Sequence, residues 1–125
     1  MKISTDTLEA SRVVALWAHI MDERAWHRLG ECLTDDCVWN ASVFGFESVT
    51  GLEAITAVLS AEGHARAHHT TNIVVSRGPA GELRARSKAL GGMVDGTVVS
   101  AVYADGLRRT AEGWRISERV IHVVK

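Results

Sequence analysis

No lysine and arginine cluster in this sequence of 125 residues is long enough to track phosphates, and the formal net charge is −1. Nucleic acid is therefore not expected as a partner. No apolar run approaches the roughly 20 residues that a membrane span needs, and the start, MKISTDTLEAS, lacks the apolar core of a leader peptide. We expect a cytoplasmic protein with no membrane attachment. Cysteine is scarce: Cys32 and Cys37 lack C-x-x-C spacing and any histidine set that would suggest zinc, and both read as reduced structural thiols. Pro79 is the only proline, and it falls between two strand-like stretches. Linkers, internal repeats and low-complexity tracts are also missing.

An apolar fraction of 46% and a charged fraction of 23% are those of an ordinary globule. At this length one domain, residues 1–125, is expected. Asp6 and Glu9 have capping-box spacing, and Val13, Leu16, Trp17 and Ile20 recur at helical intervals, which predicts a helix over about Thr7 to Arg24. Val14 and Met21 widen its apolar arc, so the helix should be covered on more than one side. A shorter helix is predicted over Ala25 to Leu33, followed by a polar stop at Thr34, Asp35 and Asp36 and a strand over Cys37 to Phe44. Thr50 and Glu53 open a third helix, which ends at Gly63. Four stretches then read as strands in an antiparallel meander: His68 to Arg77, Glu82 to Leu90, Thr97 to Arg109 and Gly113 to Val124. Arg84, Arg86 and Lys88 alternate with Leu83, Ala85, Ser87 and Ala89, so one sheet face is wet. Helices gathered before such a run indicate an α+β domain.

The closing segment from Tyr103-Ala-Asp105 to Gly113-Trp114-Arg115-Ile116 resembles the end of SnoaL-like proteins of the nuclear-transport-factor-2-like (NTF2-like, cystatin-like) superfamily. Trp17 to Trp26, Thr34 to Trp39 and His68-His-Thr-Thr-Asn72 resemble its first helices, first strand and histidine strand, in the same order. The resemblance implies a cone in which three N-terminal helices pack on a curved antiparallel sheet that encloses a pocket. It also implies a frequent homodimer through the outer sheet face. Ile73 and Val75 are expected on that face, together with His69.

The resemblance further marks Asp22 and His68 as an acid–base pair. The chemistry is within reach of the residue types, because histidine exchanges a proton near neutrality and a carboxylate fixes its tautomer. Read otherwise, Asp22 is a solvated helix-end carboxylate and His68 a half-buried strand residue. Thr70 and Asn72, on the face of His68, are expected to bind substrate, as are Trp17, Trp39, Phe44 and Tyr103. Dehydratases of the family carry a tyrosine five residues before the helix aspartate, where this chain has Trp17. Indole donates a hydrogen bond but does not exchange a proton as a phenol does. Asp105, Glu118 and His122 are alternative acids on later strands, and none is singled out by spacing. His64 and His68 have metal-like spacing, but Gly63 breaks the helix that would unite them. No metal and no cofactor is expected.

These residues lead to a lyase or isomerase acting on a hydrophobic small molecule of polyketide, steroid or terpenoid type. The alternative is a non-catalytic binding or dimerisation domain with the same pocket.

Overall fold

Helix α1 spans Thr5–Asp22, and Val13, Val14, Trp17, Ile20 and Met21 are all buried on it. An arc that wide must be wrapped, and a sheet does the wrapping. The computed structural model describes residues 5–61 and 63–123. In it, β1 (Leu33–Asn40), β2 (Val49–Thr50), β3 (Ala67–Arg77), β4 (Leu83–Gly92), β5 (Val98–Thr110) and β6 (Gly113–Val123) form one sheet in the order β2-β1-β6-β5-β4-β3. The run β3 to β6 is the expected meander. Val124, the expected end of its last strand, lies outside the described residues. The β1–β6 pairing is parallel, unlike the rest. A second helix, α2 (Leu52–Ala61), buries Ile55 and Leu59. Each such side chain removed from water contributes about 1.5–3 kcal/mol.

The end of α1 is set by its backbone. Arg24 adopts a left-handed φ of 55°, Arg24 N–H donates to Met21 O at 3.2 Å, and Ala25 N–H donates to Ile20 O at 3.0 Å. This is the Schellman arrangement, here completed without glycine. The Arg24 guanidinium adds a bond to Met21 O at 2.5 Å. Asp22 is thereby fixed in the last turn. At the other end of α1, Glu9 accepts the Trp114 backbone N–H at 2.9 Å, while Asp6 accepts the Trp114 indole at 3.1 Å and Arg109 at 2.6 Å. The two acidic residues of the expected capping box thus tie α1 to the β5–β6 hairpin. Gly113 has φ 117°, and a Cβ there would collide with the Glu9 carboxylate.

Three local expectations are corrected. The segment after α1 is a 3-10 helix, Trp26–Glu31, rather than an α-helix. The first strand starts at Leu33, so Thr34, Asp35 and Asp36 lie inside it, and Phe44 belongs to a 3-10 turn, Ser42–Phe44. Third, β3 contains a bulge. Thr71 pairs with Lys88 and Val74 with Arg86, which leaves one residue too many on β3, and Asn72 takes φ 54°. The extra residue reverses the alternation. Ile73 and Val75 consequently pack against the core instead of sharing the outer face with His69, and Val74 is exposed. A dimer through that face would therefore not use Ile73 and Val75.

Asparagine tolerates the left-handed region, whereas a β-branched residue does not. Asn72→Val should lower unfolding stability by about 1–2 kcal/mol, and Asn72→Gly should stay near wild type. Denaturant midpoints at unchanged slope check this; equal losses would show that the asparagine side chain, not the backbone angle, matters.

Candidate active site

Asp22, at the C-terminal end of α1, meets the first residues of β3. Both carboxylate oxygens lie 3.0 Å from the His68 backbone nitrogen, and Oδ1 is 2.6 Å from His68 Nδ1. A carboxylate only accepts, so Nδ1 carries the hydrogen and Nε2 of the neutral ring is left with a lone pair. The two side chains are 29% and 13% exposed, so the pair is neither solvated nor sealed.

His68 lines a cavity of about 210 Å³ between α1 and the sheet. Trp17 and Met21 of α1, Trp39 of β1, Tyr103 of β5 and Ile121 of β6 contribute its walls. Phe44, half exposed, and His64, whose Nε2 is 2.6 Å from Leu59 O, also border it. Opposite His68 on β4 stands Gly91, where a Cβ would press on Ala65 at 3.2 Å.

Behind the cavity lies a buried ion pair. Arg119 Nε and Nη2 donate to Asp105 Oδ1 and Oδ2 at 2.7 and 2.8 Å, and both side chains are 0% exposed. The guanidinium carbon lies 4.0 Å from the centre of the Tyr103 ring and 4.8 Å from that of Trp17. Burial opposes the Arg119 charge, but the attraction and hydrogen bonds of Asp105 hold its pKa above the ordinary value. Burial also pushes the Tyr103 hydroxyl up, against the opposing pull of Arg119 and the Trp17 indole. Cys32 and Cys37 are free, buried thiols pushed up to about 12 by desolvation.

Of the residues expected at the site, His68, Trp17, Trp39, Phe44 and Tyr103 line the cavity, and Asp22 joins it through His68. Two do not. Asn72 occupies the exposed bulge, and the Thr70 hydroxyl is buried without a partner among the described residues, away from the cavity lining. Glu118 and His122 lie on the opposite, outer face, while Asp105 is committed to Arg119. Sequence reasoning missed Arg119. The signal was the Asp105–Arg119 spacing across the hairpin, and a bulge obscured it. Among the described residues no group of three or more His, Cys, Asp or Glu is placed to hold a metal, and no helix is long and apolar enough to cross a membrane.

Fold and cavity together define a class: small α+β proteins in which a sheet wraps one long helix and leaves a pocket beside it. The sequence model of the SnoaL-like domain matches residues 3–120, and the chain belongs to that family. Solved structures agree on the fold. The Kfla4162 protein from Kribbella flavida is 26% identical, with a TM-score of 0.79 over 97% of this chain and 92% of that one. A candidate scytalone dehydratase from Novosphingobium aromaticivorans is 20% identical, with a TM-score of 0.77 over 98% and 89%. The hexachlorocyclohexane dehydrochlorinase LinA-type3 from Novosphingobium barchaimii is 19% identical, with a TM-score of 0.73 over 96% and 85%. Comparison with curated proteins gave no match.

Arg119→Met alone strands a buried carboxylate and should cost about 3–5 kcal/mol, whereas Arg119→Met with Asp105→Leu should recover most of that loss. Thermal unfolding of the two variants checks the pair. Tyr103 is the only tyrosine, so tyrosinate absorbance reports it alone. The signal should rise only above the ordinary tyrosine range, near pH 10. A midpoint below that range would mean that Arg119 outweighs burial.

Proposed function

We propose that this protein is a cofactor-independent acid–base enzyme, a lyase or isomerase, that moves a proton on a small, largely apolar substrate. The observation that carries this reading is the 2.6 Å contact between Asp22 and His68 at the wall of an apolar cavity. His68 Nε2 takes a proton from a substrate C–H, and Asp22 holds the ring in the required tautomer and stabilises the imidazolium that forms. In an elimination, the C–H electron pair becomes the new C=C bond and the leaving group departs with its own pair, protonated by the imidazolium or by a phenol. In an isomerisation, the imidazolium returns the proton at a second carbon. The relatives' names support elimination: a dehydratase removes water, and a dehydrochlorinase removes hydrogen chloride.

Trp17 favours a second reading. The indole cannot supply the proton that a tyrosine would at that position, which is consistent with a pocket that binds ligand without turnover. Tyr103 is the only phenol available to the first reading.

A neutral bicyclic probe, nitrobenzisoxazole, needs only a base: its C–H proton leaves, the N–O bond breaks and the oxygen keeps the electron pair. Wild-type protein should open it faster than free imidazole at equal concentration. His68→Ala should lower kcat/KM by roughly 100-fold or more, Asp22→Asn should also impair it strongly, and His69→Ala, on the outer face, should change it less than twofold. Comparable losses from both histidines, or no advantage over imidazole, would leave the binding reading as the better account.

A further inference from the structure

Size, charge and polar contacts in the cavity jointly restrict what it can hold. A dry apolar cavity of about 150 Å³ accommodates one benzene ring, and this one, at about 210 Å³, is larger by less than half. Two fused rings fill it. A third ring exceeds that volume and would have to project out of it.

Among the described residues no Lys, Arg, Asp or Glu lines the cavity. Arg119 is the nearby cation, but it is fully buried, engaged by both oxygens of Asp105 and faced by the Trp17 and Tyr103 rings. The His68 ring is already engaged by the Asp22 carboxylate, with Oδ1 2.6 Å from Nδ1, so it offers no unpaired cation. An anionic ligand would therefore shed its hydration and meet no Lys or Arg in the lining to replace it.

Besides the two histidines, the polar groups of the lining are the indole N–H groups of Trp17 and Trp39, both buried without a hydrogen-bond partner among the described residues, and the Tyr103 hydroxyl, the one of the three that can both donate and accept. The Trp17 indole N–H lies toward the Tyr103 oxygen without completing a hydrogen bond, and an indole can only donate. The Tyr103 hydroxyl is therefore not engaged by the indole. Its own hydrogen is thus available to an acceptor inside the cavity.

We propose that the cavity selects an uncharged molecule of one or two rings bearing a single carbonyl or hydroxyl oxygen, and that the Tyr103 hydroxyl donates to that oxygen. Tyr103 is then the residue that decides which edge of the ligand faces His68. This rests on the acid–base reading only for what happens next; the selection itself is a matter of binding.

The test titrates the full-length protein with four probes at neutral pH, read by quenching of tryptophan fluorescence, since Trp17 and Trp39 line the cavity. Tetralone, a bicyclic ketone, should bind roughly 3–10-fold more tightly than tetralin, the same frame without oxygen. The carboxylate of the same frame should bind at least tenfold more weakly than tetralin, and tricyclic anthrone should bind no more tightly than tetralone. Tyr103→Phe should abolish the advantage of tetralone and leave tetralin unchanged. No saturable binding of tetralone, a carboxylate as tight as tetralin, a clear gain from the third ring, or equal weakening of both bicyclic probes by Tyr103→Phe would each overturn the proposal. Loss of acid–base function is separable: if nitrobenzisoxazole is not turned over but the probe order holds, only the catalytic reading fails. If turnover depends on His68 but the order is reversed, only the selection fails.

Discussion

The Asp105–Arg119 pair is the constraint around which the molecule is arranged. A charge buried in so small a domain is tolerated only with full pairing, and here both Asp105 oxygens are used while the aromatic faces of Trp17 and Tyr103 cover the guanidinium. Those rings belong to α1 and β5. The pair therefore fixes the distance between helix and sheet, and the side of each ring turned away from Arg119 is free to form a cavity wall.

Asp22 and His68 apply the same chemistry under the opposite condition. Their contact joins positions 46 residues apart and depends on the left-handed turn at Arg24, which stops α1 at Asp22, and on β3 beginning beside that turn. Because the carboxylate also takes the His68 backbone N–H, ring and main chain are held together, and Nε2 cannot swing away without breaking several bonds. The Asp22 and His68 side chains still reach water at 29% and 13% exposure, whereas Arg119 and Asp105, at 0%, do not. Exposure, rather than the strength of the contact, is what separates the two acid–base pairs.

Strand β4 was legible from sequence because it has one wet face, as the alternation of Arg84, Arg86 and Lys88 shows. What alternation cannot reveal is a bulge. Asn72 reverses the facing of everything after it on β3, so Ile73 and Val75 were assigned to the wrong side and Asn72 itself to a cavity it does not reach. A second bulge hid Arg119. Counting outward from the turn that pairs Thr110 with Gly113 would set Asp105 against Glu118, an unfavourable couple, but the shift between Gly106 and Leu107 sets it against Arg119 instead. Two like charges opposed by simple counting were the available hint that the register slips. Asp22 and His68 were found through family resemblance, since no local pattern predicts a contact between a helix end and a strand start so far apart.

Trp17 connects these points. In the resemblance to dehydratases it counts as a departure, a donor where a proton-exchanging phenol is expected. In the structure it both faces Arg119 at 4.8 Å and borders the cavity. A phenol ring is shorter than an indole and places its polar atom at the tip, so a tyrosine at this position would cover less of the guanidinium or direct its hydroxyl elsewhere. The indole instead keeps the cation screened and lines the pocket with carbon. With position 17 committed to covering Arg119, the phenol of this cavity comes from β5, so a leaving group that needs a phenol's proton has only Tyr103 to take it from, beside the pair that Asp22 and His68 form.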